Sequence, residues 1–119
     1  MPESLSPDEY ESYLEQLAEL LARARRQQRT LTYLEVADAL GMPGPGRIHK
    51  TTRLLETLLA RDAQAGRPLR AALVVSRTGS GRPARGFFER AQQLGLHDGH
   101  DPEGFHARLL AQLFAERGG

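Results

Sequence analysis

Cysteine is absent from this chain, which excludes disulfides, thiolate nucleophiles and thiolate-bound zinc, and gives no sign of an oxidising compartment. Long apolar runs are missing too. No stretch approaches the ~20 residues needed to span a bilayer, and Met1-Pro2-Glu3-Ser4 has neither the basic start nor the apolar run of a signal peptide. The expectation is a cytoplasmic protein without a membrane partner. Catalytic signatures are equally scarce: no Ser-His-Asp order, phosphate-cradling glycine motif or helical His-Glu-x-x-His occurs, so a non-enzyme without cofactors is expected. Neither internal repeats nor low-complexity segments are present. With 119 residues and a 39% hydrophobic fraction, the chain has the material for one modest core.

What is present is segregated charge. The net charge is only +1, yet residues 23–90 hold fourteen of the sixteen arginines and lysines against five acids, Glu35, Asp38, Glu56, Asp62 and Glu89. The first 22 residues carry six acids and no base, and residues 91–119 four acids and two bases. A basic module thus sits between acidic ends, the footprint of a surface that meets a polyanion. Lys50 is the single lysine; arginine's planar fork suits bidentate contacts to phosphate or carboxylate, although a GC-rich genome produces the same bias.

Helix signals divide the chain clearly. Ser6-Pro7-Asp8-Glu9 reads as a capped, proline-led start, followed to about Gln28 by a stripe of Tyr10, Tyr13, Leu14, Leu17, Leu20, Leu21 and Ala24. Thr32-Tyr33-Leu34-Glu35 opens a short helix that Gly41 ends. Met42-Pro43-Gly44-Pro45-Gly46 is turn material, and a third helix runs from Arg47 to Gly66 on an apolar face that includes Leu54, Leu55, Leu58 and Leu59. Leu69 to Ser76 reads as a strand, Arg77 to Pro83 as a turn, and Ala84 to Phe87 as a short return strand. A helix over Phe87–Leu94 ends at Gly95, and Asp101-Pro102-Glu103 starts a last helix carrying Phe105, Leu109, Leu110, Leu113 and Phe114.

This order predicts a mainly α fold with a small β-hairpin, a winged helix-turn-helix-like core over residues 1–95. The loop and helix of residues 96–119 are expected to pack on that core or on a second protomer. In winged helices the helix after the turn enters the major groove with its N-terminal residues while the wing touches the backbone or minor groove. Those places are basic here: Arg47, His49, Lys50 and Arg53 on the third helix, Arg77, Arg82 and Arg85 on the wing. Tyr33 is a further candidate for a phosphate or base-edge contact, or a staple between the first two helices. A solvated basic face that keeps a small protein soluble is the competing explanation of the same charges.

The segments Thr32-Tyr33-Leu34-Glu35-Val36-Ala37, Leu40-Gly41, the helix after the turn and Ala72-Leu73-Val74-Val75 resemble the winged-helix DNA-binding domain of alkyltransferase-like proteins, over roughly residues 30–85. The resemblance implies DNA binding by that helix and wing. Alkyl transfer is not implied, because Pro68-Leu69-Arg70-Ala71 has neither the cysteine nor the histidine of that family's Pro-Cys-His-Arg motif or its variants. Pro68 through Val75, with Gly86-Phe87-Phe88 and Leu94-Gly95, also resembles an uncharacterised bacterial domain found alone or beside nuclease domains, which carries no established activity.

His97, Asp98, His100, Asp101 and His106 lie within ten residues and have side chains of metal-ligating type, but their spacing matches no known metal motif and no metal is expected. Phe87 and Phe88 are read as core and lid rather than base-stacking residues. The expectation is therefore a small nucleic-acid-binding protein acting on double-stranded DNA and possible as a homodimer. The alternatives are a protein-interaction module, whose basic centre meets an acidic partner or another copy, and a metal-dependent hydrolase at His97, His100 and His106.

Overall fold

Local side-chain chemistry sets where several of the helices begin. Ser6 Oγ accepts the Glu9 N–H at 3.2 Å and Glu9 Oε1 accepts the Ser6 N–H at 2.9 Å, so α1 (Pro7–Arg26) starts on a closed capping box. Thr32 and Glu35 repeat the exchange at 3.1 and 2.8 Å and open α2 (Tyr33–Leu40). Gly41 ends α2 at φ +64°, and Gly66 ends α3 (Arg47–Ala65) at φ +69°, the left-handed backbone that a Cβ disfavours. α4 (Arg85–Gln93) and α5 (Pro102–Ala115) complete the helices. At the start of α5, Asp101 Oδ1 accepts the Gly104 N–H. The computed structural model describes residues 5–76 and 81–115.

The β component differs from the expectation. Instead of one strand over 69–76, the chain forms a 3-10 helix, Arg70–Leu73, followed by β2 (Val74–Val75). β2 pairs with β1 (Leu31–Thr32) in parallel, Leu31 opposite Val74 and Thr32 opposite Val75. The return strand at Ala84–Phe87 is absent because α4 has already begun at Arg85, so no β-hairpin exists among the described residues. Arg77 and the three residues after it lie outside them. The physical reason is competition for the backbone of residues 70–73. The Arg70 N–H donates to Asp62 Oδ2 at 3.1 Å, and His106 Nε2 donates to the Ala72 carbonyl at 2.8 Å. Side chains thus satisfy groups that a strand would have given to a ladder.

Around this segment, α1, α2 and α3 bury Leu17, Leu21, Val36, Leu54 and Leu59 against Leu73 and Val74, each such burial worth about 1.5–3 kcal/mol. α5 adds Phe105 and Leu113 to the same core. Its last turn is held by α1 and the residues just after it: Arg25 Nε donates to the Leu113 carbonyl at 2.9 Å and Gln28 Nε2 to the Phe114 carbonyl at 3.1 Å. No helix among the described residues is long and apolar enough to cross a membrane.

Candidate nucleic-acid interface

The turn between α2 and α3 aims the first residues of α3, and two of its basic side chains are consumed in holding that turn. Arg47 Nε donates to the Met42 carbonyl at 3.1 Å while its Nη2 pairs with Asp38. Lys50 Nζ donates to the Pro43 carbonyl at 3.2 Å. Arg47 is therefore a brace between the end of α2 and the start of α3, with its charge already answered. His49 and Arg53 are different: both are exposed, and neither side chain has a hydrogen-bond or ion-pair partner among the described residues. They lie one helical turn apart on the outward face of α3.

That outward face is a floor rather than a ridge. α1 lies along one side, fixed by the Tyr10 hydroxyl, which donates to the Arg53 carbonyl at 3.0 Å and sits 2.6 Å from Thr57 Oγ1. Farther along, Arg61 and Glu11 pair at 2.8 Å, which holds the Glu11 carboxyl below its usual range. α4 lies along the other side. A cleft of about 480 Å³ opens between Leu5, Tyr10, Gly46, His49, Lys50 and Arg53. A second, of about 420 Å³, shares Tyr10, His49 and Arg53 and is completed by Glu56, Arg90 and Gln93. The first turn of α3 bears no acidic residue, and its N-cap, Gly46, supplies no side-chain cap.

The remaining predicted residues fall elsewhere. Arg82 and Arg85, both exposed, line a third cleft of about 290 Å³ with Phe88, Gln92 and His97, so the α3 cations and the expected wing cations sit on clefts with different walls. Tyr33 is half-buried, and its hydroxyl oxygen accepts the Ala84 N–H at 2.9 Å. Burial raises its phenol above the ordinary range, the Ala84 hydrogen bond opposes that, and the Glu56 charge adds to it. It acts as a clasp at the start of α4. Arg90, within an amphipathic helix, carries no sequence signal of a role at this surface. Its presence in the second cleft depends on α4 folding back over α3, a tertiary fact with no local signal.

The histidine cluster disperses. His97 stacks on Phe105 with centroids 4.3 Å apart, and His106 is buried against Ala72. His100 is exposed, its Nδ1 3.7 Å from Asp98 Oδ2. No group of three or more metal-ligating side chains is assembled among the described residues. Phe87 is buried and Phe88 half-buried, edge-to-face at 5.2 Å. Comparison with known protein families, with curated proteins and with solved structures found no match to this chain.

Proposed function

We propose that this chain is a non-enzymatic nucleic-acid-binding protein that engages double-stranded DNA through α3, with α2, the turn and α3 acting as a helix-turn-helix of the winged-helix kind. Arg82 and Arg85, the latter the first residue of α4, are taken as further phosphate contacts beside that helix. The observation that carries the reading is the pair His49 and Arg53, exposed on the outward face of α3 without partners among the described residues and opening onto the basic clefts beside α1 and α4. An unanswered arginine with an imidazole one turn away on the same face is suited to a phosphate contact that releases a counterion. Arg47 and Lys50 support the same surface indirectly, by holding the turn that aims α3.

Fluorescence anisotropy of a labelled random-sequence duplex at two salt concentrations tests this. The wild type is expected to bind with affinity that falls steeply with salt. The double variant H49E/R53E should weaken binding at least about tenfold with an unchanged circular dichroism spectrum. An unchanged affinity in that variant rejects α3 as the contact surface. No binding by the wild type at low salt rejects the function, and turns attention to a protein partner for the exposed Leu34 and Ile48.

A further inference from the structure

We infer that the cleft between α3 and α4 seats a single backbone phosphodiester, gripped by Arg53 from one side and Arg90 from the other. The inference rests on the nucleic-acid reading above and names the group that this part of the surface takes. Arg53 and Arg90 come from different helices and line one cleft of about 420 Å³. Neither is ion-paired among the described residues, although Glu56 lines the same cleft. The Glu56 carboxylate is set toward the start of α4 instead, where a Cβ on Gly86 would lie 3.3 Å from its Oε2. Arg90 is oriented by its own helix, Nη1 donating to Gln93 Oε1 at 3.0 Å.

Two guanidinium groups sharing a cleft repel each other, and an anion between them removes that cost. Each guanidinium presents a planar fork of N–H donors, and a phosphodiester has two free oxygens, one for each arginine.

The test uses the full chain and the labelled duplex, reading the slope of log affinity against log salt for the wild type, R53Q, R90Q and R53Q/R90Q. R108Q is the control for net charge, because Arg108 is exposed on α5 and does not line this cleft. A phosphate shared by both arginines is counted once, so the double variant should lose about 0.9 of slope in total. R108Q should lose markedly less. A loss near 1.8 in the double variant means two separate phosphates and overturns the shared seat. A loss no larger than that of R108Q removes Arg53 and Arg90 from the interface while nucleic-acid binding stands. Absence of binding by the wild type overturns the functional reading and the seat with it.

Discussion

Removing the Asp62 carboxylate is expected to be the most damaging single change in the core that leaves every apolar contact in place. Asp62 is fully buried. Its two oxygens accept from Arg70 Nε at 3.0 and 3.2 Å, Arg70 Nη2 at 2.7 Å and the Arg70 backbone N–H at 3.1 Å. Arg67 Nε stands 3.4 Å away. The Arg70 side chain is 22% exposed, so water does little to replace its partner. D62A leaves a guanidinium and a backbone N–H unanswered, and breaking a buried pair on one side costs about 3–5 kcal/mol. R70M leaves the carboxylate only the residue-70 backbone N–H and Arg67 Nε, and should cost less than D62A but still destabilise. The double variant D62L/R70M removes both charges together and should recover the part of the loss due to the unpaired guanidinium, the residue-70 backbone N–H remaining unanswered. Urea unfolding followed by circular dichroism measures this. At an m-value of about 2 kcal/mol/M, a loss of about 4 kcal/mol moves the midpoint down by roughly 2 M. A D62A midpoint within roughly 0.5 M of wild type, which is about 1 kcal/mol at that m-value, would refute the burial argument. So would a double variant that is no better than D62A.

Burial holds the His106 imidazole below its ordinary range, the Ala72 hydrogen bond opposes this, and the Arg82 charge pushes the same way as burial. The unfolded chain therefore takes up that proton first. Stability from this group is fully present above about pH 6.5 and falls as pH drops from there toward the lower folded value; an H106Q variant that keeps the wild-type slope between about pH 7.5 and about pH 5.5 would show the histidine is not responsible. Y33F removes the acceptor for the Ala84 N–H and should cost about 1–3 kcal/mol in unfolding experiments while leaving duplex affinity unchanged; an affinity loss without a stability loss would return Tyr33 to the interface. G66A meets no atom within 4 Å but must keep φ near +69°, so calorimetry should show a lower midpoint corresponding to about 1–2 kcal/mol, and an unchanged midpoint would contradict a strained cap.

Most helix ends are legible in the sequence because their determinants are local. Ser6 with Glu9, Thr32 with Glu35 and the glycines at 41 and 66 all act within four residues of the end that they set. The segment after Gly66 is not legible in the same way. Ala71-Ala72-Leu73-Val74-Val75 is apolar enough for a strand, but its conformation is decided by Asp62 and His106, eight residues before Arg70 and thirty-four after Ala72. The candidate site divides along the same line. His49 and Arg53 are exposed on α3 as the helical spacing implies. The bracing role of Arg47 depends on how the turn folds, and the place of Arg90 depends on where α4 comes to rest.

The two bonds from Arg25 on α1 and Gln28 just after it to the end of α5 join groups 88 and 86 residues apart. Closing a loop of that length costs chain entropy that grows only slowly with each further residue, but it is spent before the contact returns anything. α5 cannot be secured in this way until α1 and the surface between them are in place. Its docking therefore belongs to the late side of the folding barrier, and weakening the Arg25 or Gln28 contact should speed unfolding far more than it slows folding.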